Sequence, residues 1–262
     1  MGWKPPDSLA RTSLENELSK IIVITGAGLG LGRALARRFG KDGETVVLLG
    51  RTLAKVEAAA VEIGERAMAV ECDVGSPDSV RSAFAKIAER HPKIDVLINN
   101  AAVYEPFLIS EATDAQIIDP ITINLMGTIF CAREAAKMMG RGGYIINVGS
   151  ESAEMRYPYL SIYQATKVAV DRFSKSLMEE LEPEGIRVTL VSAGAMYEEG
   201  KSWTIDPERT KRFAMACIAA GLNNRERPIS HVDSVTGVFR ALLDLPQDVQ
   251  IEKTSIHARA RD

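Results

Sequence analysis

The residue pair best placed to transfer a proton is Tyr163 and Lys167, which stand four residues apart. On a helix that spacing puts both side chains on one face. A free tyrosine has a pKa of about 10, and a neighbouring ammonium favours the phenolate. The pair is therefore typical of a tyrosine that exchanges a proton with an alcohol or a carbonyl near neutral pH. A packed tyrosine beside a solvated lysine is the alternative, because such pairs are common in helices.

Ser150 and Asn124 are two further polar residues in apolar surroundings. Ser150 ends a strand-like run and precedes Tyr163 by 13 residues, and sites in α/β proteins form at the carboxyl ends of strands. A hydrolase nucleophile would need the pattern G-x-S-x-G, which the sequence around Ser150 does not fit. Ser152 is a neighbour that the spacing favours less. Asn124 lies in an apolar helical stretch, where an amide costs free energy unless it is hydrogen-bonded.

A glycine-rich loop, TGAGLGLG at residues 25–32, follows the first predicted strand. It departs from the dinucleotide pattern G-x-G-x-x-G, because Leu31 occupies the place of the third glycine, and it fits T-G-x-x-x-G-x-G instead. Gly26 permits a sharp turn, Gly30 lets the backbone approach a pyrophosphate, and Gly32 lets the next helix pack close to the sheet. The amino terminus of that helix then faces the anion. A tight turn without a ligand is the alternative.

The segments around these residues alternate between strand-like and helix-like patterns, which predicts βαβ units and a doubly wound parallel sheet with helices on both faces. We expect one domain at residues 21–262, preceded by a polar arm at residues 1–20. Residues 194–228 interrupt the alternation. The predicted strands are residues 21–25, 45–49, 67–72, 94–98, 144–148, 187–191 and 249–256, and the predicted helices are residues 31–39, 53–63, 76–91, 121–139, 162–181 and 235–245.

The glycine loop, NNAA at residues 99–102 and YQATK at residues 163–167 together resemble the short-chain dehydrogenase/reductase family, in its compact single-domain branch. The resemblance covers residues 20–256. It implies a seven-stranded α/β Rossmann sheet and a nicotinamide dinucleotide cofactor. The sequence departs from the family at Ala102 and Ala193, where a glycine and a proline are usual. In the family a threonine that contacts the cofactor carboxamide commonly follows that proline and the next glycine. Here it has no clear counterpart, and Tyr197 and Glu198 lie near its place.

The resemblance also implies roles for single residues. Ser150 would hydrogen-bond the substrate oxygen, Tyr163 would act as the acid/base, and Lys167 would also hold the nicotinamide ribose. Asn124 would bind a water through a distorted helix backbone and link Lys167 to solvent, while Asn99 would tie strands together. Asp73 and Val74 would contact the adenine of the cofactor; the alternative for Asp73 is a carboxylate that caps a helix or stabilises a turn. The implied cofactor contacts are Thr25, Gly26, Gly28, Leu29, Gly30, Gly32, Asp73, Val74, Asn100, Tyr163, Lys167, Gly194 and Met196.

The end of the second strand, Gly50-Arg51-Thr52, bears on the choice of cofactor. An NAD site has an acidic residue about 20 positions beyond the glycine loop, where it binds the ribose hydroxyls. Here Gly50 offers no carboxylate, and the Arg51 guanidinium can pair with a 2′-phosphate. The sequence therefore favours NADP over NAD, with Arg51 and Thr52 at the cofactor. A solvated loop arginine is the alternative, and Leu29 adds no second cation.

Residues 194–228 are predicted to form a mobile lid over an apolar substrate, because long irregular segments beside a site are usually functional or disordered. Tyr157 and Tyr159 would line the opposite wall. The alternative is an amphipathic helix at residues 207–220 that packs Phe213 and Met215 on the core. The residues expected to line the substrate site are Ser152, Tyr157, Tyr159, Tyr197 and Trp203.

Composition excludes several classes of protein. The balance of 32 basic and 35 acidic residues, a net charge of -3, argues against nucleic acid and anionic membranes as partners. No apolar run approaches the roughly 18 residues of a membrane helix, and no signal peptide is recognisable. Three dispersed cysteines predict free thiols, a reducing cytoplasmic location and no metal site.

These features together predict an NADP-dependent oxidoreductase that interconverts a secondary alcohol and a ketone or aldehyde. The family resemblance suggests a homodimer or homotetramer built on the helices at residues 121–139 and 162–181. The alternatives are a redox sensor that binds a nicotinamide cofactor without turnover and, more distantly, a structural oligomer.

Overall fold

A seven-stranded parallel sheet forms the centre of the computed structural model, which describes residues 19–199, 206–222 and 226–260. The strands are β1 (Ile21–Thr25), β2 (Thr45–Gly50), β3 (Ala67–Glu71), β4 (Val96–Asn99), β5 (Tyr144–Val148), β6 (Arg187–Ala193) and β9 (Lys253–Ile256). Their order in the sheet is β3-β2-β1-β4-β5-β6-β9, so the order reverses between β1 and β4. In such sheets ligands bind in the crevice at the carboxyl ends of the strands on either side of the reversal.

Helices cover both faces of this sheet, so the predicted doubly wound fold is confirmed. The helices are α1 (Gly30–Lys41), α2 (Leu53–Ile63), α3 (Pro77–Arg90), α4 (Asp114–Pro120), α5 (Gly127–Met138), α6 (Ser161–Leu181), α7 (Pro207–Ala219) and α8 (Val232–Asp244). Alternate strand residues point to opposite faces of the sheet. In β1, Val23 belongs to the core beneath α3, α5 and α6, whereas Ile22 and Ile24 belong to the core beneath α1, α2 and α8.

The helix predicted at residues 121–139 begins seven residues earlier than expected, at Asp114. Thr113 and Gln116 form a capping box that starts α4, and Pro120 lies inside the helix instead of preceding it. A π-helical stretch, Ile121–Met126, then joins α4 to α5. A proline removes one backbone donor and commonly distorts a helix. The predicted start is therefore too late, because the capping box precedes the apolar stretch on which the prediction rests.

The continuous helix Asp114–Met138 also corrects the expectation that no apolar run is long enough to cross a membrane. By length and composition this stretch qualifies, with 33% of its apolar window buried. It exceeds the predicted helix because α4 and α5 are joined. Its π-helical part packs on α6, and α5 packs on α3, so the stretch belongs to one of the helical layers on the sheet.

The described parts of residues 194–228 are more regular than predicted. They contain α7 and the strand β7 (Met196–Tyr197), which pairs in parallel with β8 (Ser230–His231) in a separate two-stranded sheet. A helix near residues 207–220 is present, as the alternative hypothesis predicts. It does not pack Met215 on the core, because that residue is 63% exposed while Cys217 is buried. Helix α8 starts earlier than predicted because the His231 imidazole caps it at Asp233. Cys72, Cys131 and Cys217 are buried and form no disulfide within the described parts of the chain, as predicted.

Candidate active site

Lys167 lies on the buried face of α6, and its side chain is enclosed at the end of β5. Only 4% of the residue is exposed, and its Nζ donates a hydrogen bond of 2.9 Å to the carbonyl of Val148. Burial lowers the pKa of Lys167 to about 8. Nζ lies 5.8 Å from the centre of the Tyr163 ring, so the two residues share one face of the helix, as their spacing predicts.

The Tyr163 phenol hydrogen-bonds to the Ser150 side chain, which also accepts a hydrogen bond of 3.2 Å from the Ser152 backbone N–H. Burial raises the pKa of Tyr163, and the bond to Ser150 offsets only part of that effect. The expectation of a lowered phenol pKa is therefore wrong for the chain without ligands. The physical reason is that desolvation dominates while the ammonium of Lys167 is directed to a carbonyl.

Tyr104 is a neighbour of the phenol that the sequence analysis missed. Its ring packs edge-on against Tyr163, with the ring centres 5.1 Å apart and the planes at 86°. Burial raises the pKa of Tyr104, and the neighbouring Tyr163 and Cys217 add to this. Tyr104 follows the NNAA run at the end of β4 by two residues, and that position at a strand terminus was the available signal.

Asn124 occupies the π-helical stretch, where the family resemblance places a backbone distortion. Its Oδ1 accepts a hydrogen bond of 2.8 Å from the Val103 N–H, and its Nδ2 donates to the Val103 carbonyl at 3.0 Å and to Thr166 Oγ1 at 3.3 Å. The side chain therefore fastens the loop after β4 to the catalytic helix. Its amide is satisfied, as a buried polar group requires.

A cavity of about 460 Å³ lies at the reversal of strand order between β1 and β4. Gly26 has φ +66, a left-handed conformation that suits the turn off β1. A Cβ on Gly32 would lie 2.4 Å from the Gly26 carbonyl oxygen, so only glycine permits this packing of α1. The predicted cofactor residues that line the cavity are Gly26, Gly28, Leu29, Gly30, Arg51, Thr52, Asp73, Val74, Asn100 and Met196.

The other predicted cofactor residues all belong to the described part of the chain, but they do not line this cavity. Thr25 is 1% exposed, and its Oγ1 accepts hydrogen bonds of 3.0 Å from the N–H groups of Asn100 and Ala101. Gly194 lies beside Ile256, whose carbonyl accepts its N–H. Gly32 faces Gly26. These residues shape the loops around the cavity, while Ser150, Tyr163 and Lys167 stand farther along the carboxyl edge, at β5 and α6.

The cavity lining carries charged groups of both signs. Arg51 and Lys55 are exposed cations on it; Lys55 is not predicted from the sequence, although it lies four residues beyond Arg51. The carboxylate of Asp73 accepts a hydrogen bond of 3.0 Å from the Gly75 N–H, so its turn role is present together with its place on the lining. Glu198, also on the lining, accepts through Oε2 a hydrogen bond of 2.8 Å from the Gly30 N–H.

That contact tests whether the cavity suits a dinucleotide. A backbone N–H at the amino terminus of α1 already holds an anionic oxygen, which is the interaction that a cofactor diphosphate requires. The cations Arg51 and Lys55 also line the cavity, and such groups pair with phosphate. The residues present therefore fit a nicotinamide dinucleotide.

The predicted substrate wall is only partly assembled. The hydroxyl of Tyr157 accepts a hydrogen bond from Arg227, which also pairs with Glu151 at 2.9 Å. Tyr159 has a left-handed backbone, with φ 65, and its ring lies 6.4 Å from that of Phe213 on α7. Such a conformation in a residue other than glycine stores strain and often marks a functional segment.

Two of the predicted substrate residues lie elsewhere than expected. Tyr197 lines the dinucleotide cavity, because β7 directs it there. Ser152 is 6% exposed and hydrogen-bonds Ser150 Oγ at 2.8 Å, so it supports that serine from behind. Trp203 lies outside the described residues.

Comparison with known proteins agrees with this geometry. The chain matches the short chain dehydrogenase family over residues 20–203. It is 38% identical to a 3beta-hydroxysteroid dehydrogenase of Mediterraneibacter gnavus over 172 residues, 64% of this chain and 62% of that protein. It is 34% identical to a sorbitol dehydrogenase of Cereibacter sphaeroides over 187 residues, 70% of this chain and 72% of that protein.

Among solved structures, a short chain dehydrogenase of Burkholderia cenocepacia in complex with NADP superposes with a TM-score of 0.77 at 25% identity, covering 91% of this chain and 96% of that chain. The family match includes Ser150, Tyr163 and Lys167 and ends before α7.

Proposed function

The chain belongs to the short-chain dehydrogenase family, whose members are oxidoreductases that use NAD or NADP, and from that premise we propose that it is an NADP-dependent enzyme interconverting a secondary alcohol and a ketone or aldehyde. The observation that carries the proposal is the cluster of Ser150, which follows β5, with Tyr163 and Lys167 on α6. The Tyr163 phenol interacts with Ser150, and Lys167 Nζ lies 5.8 Å from the centre of the Tyr163 ring. When bound, a nicotinamide dinucleotide supplies or accepts the hydride.

The proton is handled by the chain's own residues. Because burial raises the pKa of Tyr163, the phenol is protonated at neutral pH and can give its proton to the oxygen of a carbonyl substrate. Ser150, already bonded to that phenol, donates a hydrogen bond to the same oxygen. Lys167, with a pKa of about 8, is mostly charged at neutral pH and stabilises the phenolate that remains.

Oxidation of reduced nicotinamide in the presence of a carbonyl panel tests this function. The panel contains a 3-ketosteroid and a ketose, chosen from the names of the two relatives, together with a small keto acid. We expect carbonyl-dependent loss of the reduced-nicotinamide absorbance with at least one member of the panel. A protein that binds the cofactor and oxidises it with none of a broad panel is the redox sensor of the alternative hypothesis.

The preference for NADP is supported by the cations Arg51 and Lys55 on the cavity lining. A hydrogen bond to a charged group contributes about 1.5–3 kcal/mol, so we expect at least about tenfold tighter binding of NADPH than of NADH. Arg51→Ala should weaken NADPH and leave NADH within about twofold; Arg66→Ala, far from the cavity lining, is the matched control. Equal affinity of the wild type for both cofactors would contradict the preference.

The substrate end is proposed to be apolar and covered by α7. Support comes from two aromatic contacts, Tyr104 with Tyr163 on α6 and Tyr159 with Phe213 on α7. The ketosteroid should therefore be turned over with a higher kcat/KM than the small keto acid. The reverse order would contradict an apolar site.

A homodimer or homotetramer is proposed from apolar side chains exposed on the helices named in the sequence analysis. Ile118, Ile121, Met126 and Val168 are each 39–56% exposed, on α4, its π-helical continuation and α6. Burying such side chains against a second copy is favourable. Light scattering after size-exclusion chromatography should give a multiple of 28.5 kDa, and Val168→Glu should shift the mass toward that of one chain.

A further inference from the structure

The amino terminus of α1 is occupied by a carboxylate from a distant part of the chain. Glu198, which follows β7, accepts the Gly30 N–H at 2.8 Å. Helix α1 supplies no acceptor of its own there, since its N-cap is Leu29 and its first turn has no acidic residue. The same carboxylate acts on Arg33, whose pKa is raised chiefly by Glu62 and more weakly by Glu198. Glu198 thus replaces a missing cap.

This position is the one that the proposed function assigns to the cofactor diphosphate. A helix amino terminus binds one anionic group through its free N–H groups and its dipole. A carboxylate and a diphosphate would compete for the same donor, and their like charges would repel each other in a partly enclosed cavity. Glu198 also lines that cavity itself, so the cofactor cannot take its place without moving this side chain.

We propose that Glu198 is a built-in competitor of the cofactor diphosphate, which occupies the α1 cradle in the free enzyme and must be displaced for the cofactor to bind. The inference rests on the proposed function and adds a control on the affinity of that site. When a site is open in a fraction of the molecules, the apparent Kd rises by the inverse of that fraction. A contact formed in about nine molecules of ten therefore weakens cofactor binding about tenfold.

The backbone around Glu198 indicates that the side chain alone can make this movement. Met196 and Tyr197, immediately before it, pair with Ser230 and His231 in the small sheet. The rings of Tyr197 and His231 pack 5.2 Å apart, which holds β7 beside the cavity. Glu198 is half-exposed, so rotation about its own side-chain bonds can carry the carboxylate into solvent while β7 stays in place.

The test measures the Kd of NADPH by calorimetry for the wild type, Glu198→Gln and Glu199→Gln. Glutamine keeps the size of the side chain and removes the charge that competes. Glu199 is the exposed neighbour, so its variant removes the same charge from the same segment. We expect Glu198→Gln to bind NADPH about tenfold more tightly and Glu199→Gln to stay within about twofold.

Glu198→Asp separates the contact from the charge, because it keeps the carboxylate and shortens its reach by one methylene. We expect its Kd to fall between those of the wild type and Glu198→Gln. Unchanged affinity in Glu198→Gln, or equal tightening in the two glutamine variants, would overturn the inference while leaving the proposed function standing. A wild type that binds neither NADPH nor NADH would overturn both.

Discussion

Helices α6 and α7 both reach the surroundings of Tyr163, but they are held by different interactions. Helix α6 buries six residues, among them Lys167 and Val170. It packs against β6 and carries the proposed catalytic pair, Tyr163 and Lys167. Helix α7 buries Cys217 and is joined to the loop after β4 by surface ion pairs, Arg209 with Glu105 and Arg212 with Glu111. One helix belongs to the core, and the other is attached to its surface.

The difference indicates how the site divides its tasks. Close packing fixes a side chain because even small displacements lose contacts on many sides, which suits a proton donor that must meet its substrate in one geometry. An exposed ion pair contributes only about 0.2–1 kcal/mol, so α7 can separate from the loop at small cost. We therefore expect α6 to govern the chemical step and α7 to govern access to it.

The largest effect is expected for Tyr163→Phe. This change removes the proton donor and keeps the ring that packs against Tyr104, so kcat should fall by about a hundredfold or more. The Kd of NADPH should stay within about threefold, since the cavity lining lies elsewhere. Tyr104→Phe is the matched control and should retain most of the activity. A Tyr163→Phe enzyme with more than a few per cent of wild-type kcat would contradict the role of that phenol.

Lys167→Met should weaken turnover, and it should weaken cofactor binding as well because the family resemblance implies that this ammonium holds the nicotinamide ribose. The change also affects the pH dependence of stability. Burial lowers the pKa of Lys167 from 10.5 to about 8, so between these values the unfolded chain binds more protons than the native one. The free energy of unfolding of the wild type should therefore rise, relative to Lys167→Met, as the pH increases from about 8 to 10.5. Denaturant titrations of both proteins across this range measure the difference, and parallel pH profiles would contradict it.

A smaller effect is expected for the double change Arg209→Gln and Arg212→Gln, which removes both ion pairs of α7. The apparent KM for the carbonyl substrate should change several-fold while kcat stays within about twofold, and the amides of α7 should exchange hydrogen faster. Lys211→Gln, an exposed cation on the same helix, is the control. An equal loss of kcat and kcat/KM in the double variant would place α7 in the chemical step.

The same contrast explains how far the sequence alone predicts this molecule. Helix α2 and strand β5 have the predicted bounds: α2 ends at Gly64, and β5 is buried throughout. Ser150, Tyr163 and Lys167 were found because strand ends and helical spacing are local signals. The sequence predicts helix α7 only as an alternative. This helix buries Cys217, and it is attached through charges on a segment about a hundred residues away.

What the sequence missed arises from contacts between distant segments or from desolvation. The bond between Glu198 and Gly30 spans 168 positions, and the packing of Tyr104 on Tyr163 joins β4 to α6. The raised pKa of Tyr163 results from burial, which residue spacing does not report. The late start assigned to the helix at Asp114 is different: the capping box at Thr113 is a local signal that could have been recognised.

The most direct test of the central claim follows the hydride itself. NADPH carrying deuterium at the transferable position of the nicotinamide ring is incubated with the enzyme and the best carbonyl of the panel, and the product alcohol is analysed by mass spectrometry and NMR. We expect one deuterium on the carbinol carbon of the alcohol formed by the wild type and almost no labelled alcohol from Tyr163→Phe in the same time. Cofactor oxidation without deuterium in the alcohol, or labelled product formed equally fast by Tyr163→Phe, would contradict it.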